Sequence, residues 1–425
     1  MAIAANVTGS GQRLVPFGEF IASVAGAQSV PQSVPQVAGA VAGARTFADM
    51  KSYVSALYAS VDAKAVSHSF VDANDTAFDC IPVSQQPALR GSTQPLPNAP
   101  DIPIIKTSGM RGALKPVSPL SADQKDRFGN AMACATRTIP MARITLDGLA
   151  KFTSLDAFFR KSPNGGGLPP LNTVAPAVTA THRYAHAYQS ADNLGGHSYL
   201  NVWAPAIWAN QIFSLSQHWY VGGSGSGLQT AEVGWQVYPQ LYSSTMPVFF
   251  IYWTADGYNQ TGCYNLTCGA FVQTNSSWAI GGALSPSSTL NGPQYEVEVA
   301  YYLYQGNWWL YVNGTTSDNA IGYYPGTIYN GGALSNNASY IDYGGEVVGT
   351  TSFPPMGSGQ FASAGYGNAA YQRTIYYFTT TGGASNASLT ASQQWPDNYT
   401  AVVTNYLSPW NETLFFGGPG ETLHW

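Results

Sequence analysis

The chain reads Thr230-Ala231-Glu232-Val233-Gly234-Trp235-Gln236-Val237-Tyr238-Pro239 just past its midpoint. Successive side chains of a β-strand point to opposite faces of its sheet, so the two valines and Trp235 share one apolar face. Glu232 and Gln236 fall on the other face. The stretch therefore predicts a β-strand that buries its apolar face in a core and turns Glu232 toward a groove or toward solvent.

Residues from about 182 to 378 contain further strand-like runs of this kind. Short runs rich in Tyr, Trp, Val and Ile are separated by clusters of Gly, Asn, Pro and Ser, and helical periodicity is almost absent. The clearest runs are Tyr199–Trp203, Val233–Tyr238, Val248–Trp253, Tyr295–Tyr304 and Trp308–Val312. Many short strands with frequent turns predict an antiparallel β-sandwich or barrel.

The residues ahead of this region differ from it in composition and in period. Residues 1–45 contain a Ser-Val-Pro-Gln repeat and an Ala/Gly run, which predict a flexible segment. Apolar residues recur at helical spacing from Phe47, and again from Thr145, a plausible helix N-cap, to Phe159. A stretch at 163–181 that is rich in Gly, Pro, Ala and Thr predicts an exposed linker that is open to proteolysis.

The predicted fold is mainly β, with a smaller α-containing domain ahead of an antiparallel β-sandwich. At 425 residues the chain can bury a sizeable core and can hold two or three domains. The predicted boundaries are 1–45 for the flexible segment, 46–162 for the smaller domain, 163–181 for the linker, 182–378 for the β-domain and 379–425 for a C-terminal extension to which the sequence assigns no role.

Charged residues are scarce in this chain. They make up 9% of it, against about 25% in an average soluble protein, and the net charge is −5. No basic cluster and no run of about 20 apolar residues occurs, which argues against nucleic acid as a partner and against a membrane span. A surface of neutral polar groups is typical of extracellular β-proteins, and few groups that ionise in acid limit charge repulsion there. The composition therefore favours a secreted, acid-tolerant protein.

Four cysteines also bear on the compartment. Cys263 and Cys268 close a small loop, while Cys80 and Cys134 lie far apart in the predicted smaller domain. A zinc site needs four suitably spaced ligands, and here only two thiols stand together, with no histidine nearby. We therefore expect two disulfides, Cys80–Cys134 and Cys263–Cys268, with free thiols as the alternative.

Export and glycosylation signals are less distinct. Residues 15–27 are mildly apolar, but a proline, a glycine and a glutamate interrupt them, so no signal peptide is evident. Ten Asn-x-Ser/Thr sequons occur, for example at Asn265, Asn313 and Asn398. In a chain this rich in Asn, Ser and Thr, these sequons give weak support for a secreted glycoprotein.

Glutamate is rare, and two of the seven glutamates stand apart from the others. Glu296 and Glu298 alternate with valines, which predicts that both point to the solvent face of an exposed strand. Glu232 and Glu346 are lone acids among apolar or glycine neighbours, with no lysine or arginine near them in the sequence. Such an acid is either buried and satisfied by local hydrogen bonds or has its pKa shifted for a purpose. Two of them facing one another would form a general acid/base pair.

Other motifs predict neither a metal site nor a cofactor. The Gly222–Gly227 run lacks the Lys-Ser/Thr pair of a phosphate loop and is better explained as a hairpin connection. His182 and His186 have a metal-like spacing, but no acid or third histidine accompanies them in the sequence. With few histidines and no Gly-x-Ser-x-Gly motif, a Ser-His-Asp triad has few candidates for its base; His197 and His218 are the two deeper in the β-region.

Several strings of the β-region resemble the neprosin family of glutamic peptidases in order and spacing. The Gly-Trp-Gln-Val-Tyr-Pro and Cys-Tyr-Asn-Leu-x-Cys strings are the most specific of them. A fainter similarity, at Cys134-Ala135-Thr136-Arg137-Thr138-Ile139-Pro140, is to the activation-peptide domain of that family. The strings of the β-region are Phe213-Ser214-Leu215-Ser216-Gln217, Glu232-Val233-Gly234-Trp235-Gln236-Val237-Tyr238-Pro239, Tyr252-Trp253-Thr254-Ala255-Asp256, Thr261-Gly262-Cys263-Tyr264-Asn265-Leu266-Thr267-Cys268, Gly306-Asn307-Trp308-Trp309-Leu310 and Gly344-Gly345-Glu346-Val347.

The resemblance implies a secreted zymogen that cleaves peptides after proline at acid pH, without metal or cofactor. It places the two catalytic glutamates at Glu232 and Glu346, and it makes the N-terminal domain the inhibitor of the enzyme. Two positions depart from the family pattern: Gln360 stands where the family has His, and Tyr343 stands where it usually has Trp. These departures bear on substrate preference more than on the chemistry.

Five further residues are candidates for substrate contacts. Gln217 and Gln236 could donate hydrogen bonds to an oxyanion, whereas Trp219, Tyr252 and Trp253 could form an apolar slot for proline. Individually, such aromatics are more often core residues of a β-sandwich. The rival interpretation of the whole chain is a non-catalytic surface or carbohydrate-binding sandwich with the same fold.

Overall fold

The computed structural model describes residues 13–29, 44–105, 115–118, 120, 123–161, 180–406 and 410–421. Nearly all of the predicted linker at 163–181 and most of the predicted flexible segment at 1–45 lie outside the described residues. Among the described residues, no helix has both the length and the apolar character that crossing a bilayer requires.

The helices in the described N-terminal part of the chain are α1 Phe17–Gly26, α2 Ala44–Leu57, α3 Leu146–Leu149 and α4 Leu155–Phe159. Helix α1 buries Phe17, Phe20 and Val24, and two of these rings pack on Tyr58, just after α2. The helical pattern that begins at Thr145 is two helices rather than one. Each has its own hydroxyl N-cap, with Thr145 accepting a hydrogen bond from Gly148 N and Ser154 from Ala157 N.

A small antiparallel sheet completes this part of the chain. It consists of β1 Ser69–Val71, β2 Ala77–Pro82 and β4 Thr138–Ala142, while β3 Lys115–Pro116 pairs with a strand of the large sheet. The Cys80–Cys134 disulfide and the buried ion pair between Asp79 and Arg143 hold the small sheet together. The predicted smaller domain is therefore α+β, with helices and a three-stranded sheet.

The remaining strands form one large hydrogen-bonded sheet. In chain order they are β5 Thr181–Asn201, β6 Gln211–Gly222, β7 Gln229–Val237, β8 Val248–Thr254, β9 Cys263–Tyr264, β10 Val272–Gln273, β11 Tyr295–Tyr304, β12 Asn307–Val312, β13 Ala320–Pro325, β14 Ala338–Gly349, β15 Ala370–Thr379, β16 Ala384–Asn386, β17 Thr390–Gln393, β18 Thr400–Tyr406 and β19 Asn411–Gly417. One short helix, α5 Pro239–Tyr242, follows β7. The predicted glycine-rich hairpin does join β6 to β7.

The large sheet curls into two layers that share β5. The first part of β5 pairs with β14, whereas its second part pairs with β11 and β15. The front layer has the order β17-β5-β14-β6-β7-β8-β9, and the back layer runs β10-β13-β12-β11-β5-β15-β19-β18. At Gly195, where β5 passes between the layers, an added Cβ would lie 2.0 Å from Tyr301 O, so only glycine fits.

Aromatic side chains fill the space between the two layers. The ring of Tyr220, on the front layer, lies 6.0 Å from that of Tyr301 and 6.1 Å from that of Trp308, both on the back layer. All three are fully buried. The prediction of a mainly β, antiparallel sandwich is therefore confirmed.

The C-terminal segment after residue 378 is part of this sandwich. Strand β17 pairs with β5 at the edge of the front layer, and β19 pairs with β15 in the back layer. Arg183 of β5 contacts this region, because its guanidinium pairs with Glu421 and lies 5.1 Å from the ring of Trp395. The segment therefore extends both layers.

The expectation that Glu296 and Glu298 face solvent is wrong. Glu296 is 4% exposed and forms a bidentate ion pair with Arg373 of β15, and Glu298 contacts His197 Nε2 at 2.8 Å. Tyr371 also donates a hydrogen bond to Glu296. These partners are remote in the sequence, so local alternation could not reveal that this face is covered.

Both predicted disulfides are present.

The asparagines of the three sequons named above form hydrogen bonds within the fold. Asn265 is buried, and its Oδ1 accepts a hydrogen bond from Ile251 N. The side-chain amides of Asn313 and Asn398 donate to main-chain oxygens at 3.0 and 3.2 Å. Attachment of a glycan to Asn313 or Asn398 would disturb these hydrogen bonds.

Candidate active site

Glu232 and Glu346 project from the same face of the front layer, on the two strands that flank β6. Glu346 of β14 stands opposite Leu215 of β6, and Glu232 of β7 stands opposite Trp219. Directly paired side chains share a face, and Leu215 and Trp219 are an even number of residues apart. The two acids are therefore diagonal neighbours across β6.

Lys161, just after α4, joins the two acids in a buried cluster. Its Nζ lies 2.6 Å from Glu232 Oε2 and 3.0 Å from Glu346 Oε2. The sum of the two distances, 5.6 Å, is the largest separation these oxygens can have. Both glutamates are 0% exposed and Lys161 is 5% exposed. Two carboxyls this close can act on one water and one carbonyl group.

Lys161 and Glu346 have pKa values shifted by their buried surroundings. Burial acts to lower the pKa of Lys161, but Glu232 and then Glu346 outweigh it and raise that pKa. Burial acts to raise the pKa of Glu346, but Lys161 and then His182 outweigh it and lower that pKa to about 2. A lysine ammonium is therefore held against an ionised Glu346 both at neutral pH and in mild acid.

The other partners of the two acids differ in kind. Glu232 Oε1 accepts hydrogen bonds from the hydroxyls of Thr230, at 2.8 Å, and Tyr258, at 2.6 Å. Glu346 Oε1 is bound instead by Nδ1 of His182, at the start of β5. One acid thus has neutral donors, whereas the other has a group that can carry a charge.

Gln217 lies on β6 between the two acids. Its register partners on either side are Gly344 and Gly234, so no side chain stands beside it. Both amide atoms of Gln217 are buried without a hydrogen-bond partner among the described residues. A buried amide without partners is costly, and such a group is expected to bind something that enters the site.

Gln236, the other candidate oxyanion donor, is already engaged. Its Nε2 donates to the hydroxyl of Tyr264 at 3.2 Å, and its Oε1 accepts from the hydroxyl of Tyr242 at 3.4 Å. It faces the same side of the sheet as Glu232 but supports the tyrosines of the groove. The geometry therefore favours Gln217 over Gln236 as the free donor.

The main chain that carries Lys161 is held along the groove by two tyrosines. Tyr252 donates a hydrogen bond to Phe159 O at 3.3 Å, and Tyr264 donates to Lys161 O at 3.1 Å. The Lys161 ammonium lies 5.2 Å from the ring of Trp219. The carbonyl oxygens of Phe159 and Lys161 are thus both bound by the groove, two residues apart. An extended substrate peptide would present its carbonyl groups to the same tyrosines at the same spacing.

Trp219 and Tyr252 therefore line the site, but Trp253 does not. Tyr252 is the register partner of Glu232, so the next residue of β8 faces the opposite way. The ring of Trp253 lies 6.4 Å from that of Tyr324 and 6.1 Å from that of Tyr329, in the interior between the layers. The structure thus separates Trp253 from the other four substrate-contact candidates.

Four residues of the site escaped the sequence analysis: Lys161, Tyr258 and Tyr264 were not identified, and His182 was considered only as a metal ligand. Lys161 is separated from Glu232 by 71 positions and His182 from Glu346 by 164. The absence of a cation near the glutamates in the sequence was a correct observation, but Lys161 supplies one across the fold. No local signal marks such a contact.

Metal binding and serine chemistry find no support at this site. His182 pairs with Glu346 and His186 with Asp342, and the described part of the chain contains no cluster of three potential metal ligands. Ser198 Oγ does lie 2.6 Å from His218 Nε2. Both are fully buried between the layers, so a substrate could not reach that hydroxyl.

Comparison with known proteins identifies the β-region. Residues 210–419 match the family model described as Neprosin, which includes most of the segment after residue 378. Two crystal structures of scytalido-glutamic peptidase are also similar. The one with a transition state analog inhibitor has 10% identity over 56% of this chain and 98% of that chain, with a TM-score of 0.32. The one with a peptide based transition state analog has 9% identity, the same coverage and a TM-score of 0.31.

Proposed function

The chain carries a Neprosin domain at residues 210–419 and so belongs to the Neprosin family of peptidases; on that premise we propose that it is a secreted glutamic endopeptidase, made as a zymogen. The enzyme acts in acid and cleaves peptide bonds preferentially after proline. Glu232 and Glu346 are its catalytic residues. Two disulfides agree with secretion, because such bonds persist in oxidising compartments.

One observation carries the proposal: two fully buried glutamates have carboxyl oxygens within 5.6 Å of one another, and the ammonium of a lysine from the N-terminal region lies between them. Burial of an ionised acid costs free energy unless the acid is paired and hydrogen-bonded, and buried acids with perturbed pKa values are concentrated at functional sites. Here the cation comes from the part of the chain ahead of the predicted linker, so its departure would leave the acids facing an open groove.

The mechanism uses a water molecule between the two acids. One glutamate is ionised and takes a proton from water as the water oxygen bonds to the scissile carbonyl carbon. The other is protonated, polarises the carbonyl and then gives its proton to the leaving nitrogen. Gln217 Nε2 donates a hydrogen bond to the developing oxyanion. Two carboxyls at this separation titrate jointly, which favours one shared proton in acid.

The N-terminal domain is proposed to keep the zymogen inactive. Lys161 occupies the position of the water and the carbonyl, while the tyrosines of the groove hold its main chain. The domain also docks away from the site, where Gln86 and Gln273 exchange two hydrogen bonds and Asp72 accepts one from Ala283 N. Cleavage within 163–181 would then release the domain.

The preference for proline is proposed to come from an apolar slot. Proline has no amide hydrogen and a fixed φ, so a slot that selects it needs flat apolar walls and no charge. Trp219 and Tyr252 flank Lys161 in the groove and would be uncovered when Lys161 leaves. The pyrrolidine ring of a proline can stack on the ring of Trp219 or on the ring of Tyr252.

The decisive experiment is incubation of the purified chain at about pH 3–4 with a proline-containing peptide, with mapping of the products by mass. Glu232→Gln and Glu346→Gln should each fold normally and lose activity by about three orders of magnitude or more, because paired acids act as a unit. Glu298→Gln is the matched control, since it changes a glutamate that pairs with a histidine in the back layer.

Several outcomes would contradict parts of the proposal. Near-full activity of either catalytic variant would rule out the two-glutamate mechanism. Cuts mainly after charged residues would reject the proline slot, and full activity of an uncleaved chain would reject the zymogen. Absence of any cleavage by the processed wild type would favour the rival interpretation, a non-catalytic surface or carbohydrate-binding protein.

A further inference from the structure

The two catalytic glutamates differ in the partners that remain once the zymogen is processed. Lys161 contacts both acids, but it belongs to the N-terminal region and would leave with it. His182 lies on β5, which pairs with β14 and stays in the sheet. Glu346 therefore keeps a histidine, whereas the partners that Glu232 keeps among the described residues are the hydroxyls of Thr230 and Tyr258.

This difference matters because the donors have different charges. A hydroxyl can donate to a carboxylate and can equally accept from a carboxylic acid, so it permits both forms. In acid a histidine is an imidazolium, and an imidazolium beside a carboxylate favours the ionised form. At the pH where the enzyme is proposed to act, the carboxyls of Glu232 and Glu346 therefore do not have equal affinity for the one proton that they share.

Packing holds the imidazole in position. The His182 ring is stacked on Tyr184, with 6.2 Å between centroids, and meets the ring of Phe213 edge-on at 6.3 Å. Its Nε2 is buried without a hydrogen-bond partner among the described residues. The contact of His182 with a polar group is thus made through Nδ1, which is bound to Glu346 Oε1.

Apart from Lys161, the other titratable groups around Glu346 are a tyrosine, two acids and a histidine that is paired with one of those acids. Tyr184 faces it from β5, and burial and then the charge of Glu346 raise the pKa of that tyrosine. Asp342, on β14 itself, is bound to His186. Strand β6 presents the neutral Leu215 and Gln217. Glu232, across β6, is the competing acid.

We propose that His182 is a positioning residue that keeps Glu346 ionised in acid, which makes Glu346 the base and Glu232 the acid. The inference rests on the proposed function and assigns roles within it. Water gives a proton to Glu346 as its oxygen bonds to the carbonyl carbon. The C–N bond then breaks as Glu232 gives its proton to the nitrogen, and the proton on Glu346 returns to Glu232 for the next turnover.

The test is the pH dependence of kcat and kcat/KM for His182→Gln after processing with immobilised pepsin and removal of the pepsin. Glutamine keeps a hydrogen-bond donor but loses the charge. The acid limb of both profiles should move to higher pH by about one unit, because an opposite charge lowers a carboxyl pKa by about 1–3 units. At the plateau, KM should be unchanged.

Two further variants separate charge from structure. His182→Arg restores a permanent cation and should return the acid limb toward its original pH, which a merely structural role would not do. His186→Gln is the matched control. His186 lies on the same face of β5 as His182 but pairs with Asp342, so its loss should leave the acid limb of the pH profile in place. If His182→Gln leaves the acid limb unmoved while Glu346→Gln is inactive, the role of His182 is refuted and the two-glutamate mechanism stands. Activity in Glu346→Gln would instead refute the mechanism itself.

Discussion

Lys161 shows how one residue can decide the state of a buried site. Two carboxylates are fully desolvated around its ammonium, so each charge depends on the others. Removal of one partner from a buried ion pair lowers the free energy of unfolding by much more than the intact pair contributes to it, because the remaining charge is buried without compensation. The residue that is proposed to block the groove therefore also stabilises the uncleaved fold.

Replacement of this lysine should be most harmful at neutral pH. Lys161→Met should lower the free energy of unfolding of the uncleaved chain by about 3 kcal/mol at pH 7, because two buried carboxylates would face one another without a cation. The loss should shrink toward pH 4, where one acid can take up a proton. Denaturant titrations at the two pH values measure both. Lys151→Met, which removes an ammonium that bonds to Ser243 at the same domain boundary, should show no such pH dependence.

Gln217 offers a separate test at the residue scale. Gln217→Leu should lower kcat by about 10²–10³, as removal of an oxyanion donor does, while the thermal midpoint stays the same or rises, because its amide has no partner to lose. Gln236→Leu should do the reverse in stability, since it breaks hydrogen bonds to two tyrosines. Equal loss of stability in both variants would contradict the role assigned to Gln217.

The hairpin of β6 and β7 is the element that sets the geometry of the site. Gly234 is directly opposite Gln217, and a Cβ there would lie 2.0 Å from Ser216 O and 2.7 Å from Gln217 Cα. The main chains of the two strands therefore approach more closely than any other residue allows. This approach places Gln217 and Glu232 at a fixed separation.

A substitution within this hairpin should uncouple its two strands. Gly234→Ala should destabilise the fold by about 1–3 kcal/mol and reduce activity more than tenfold, because the strands must separate to admit the methyl group. Gly227→Ala, in the turn of the same hairpin, meets no atom within 4 Å and should be neutral in both measurements. Comparable effects of the two variants would show that the close approach is unimportant.

At the scale of the elements, local patterns predicted what adjacent residues determine. The alternation through residues 230–239 predicted strand β7 and the face on which Glu232 lies, and the N-cap at Thr145 was also found. The contacts of Lys161 with Glu232 and of Arg373 with Glu296 join separate elements of the fold. The residues next to each partner in the sequence do not indicate either contact. The sequence, with its family resemblance, could therefore single out Glu232 and Glu346, but not the residues that contact them.

The whole molecule should respond to acid through Glu346. Its folded-state pKa of about 2 lies below the ordinary value of 4.5, so its ion pairs stabilise the uncleaved chain fully above pH 4.5. This contribution is lost as the pH falls from 4.5 toward 2. In a Gln217→Leu background, which limits self-cleavage, the thermal midpoint should fall over that range. Adding Glu346→Gln should flatten the fall, and an equally steep fall would contradict the assignment.

The two disulfides have a consequence for the cleaved protein. Cys80–Cys134 lies wholly ahead of the predicted linker and Cys263–Cys268 wholly after it, and together they account for all four cysteines. A cut within 163–181 therefore leaves two pieces with no covalent bond between them. Before the cut, the tether gives Lys161 an effective concentration at the groove of the order of millimolar or more. After it, the proposed inhibition would become bimolecular, so simple dilution of the nicked protein should raise its specific activity, and addition of the N-terminal piece should lower that activity again.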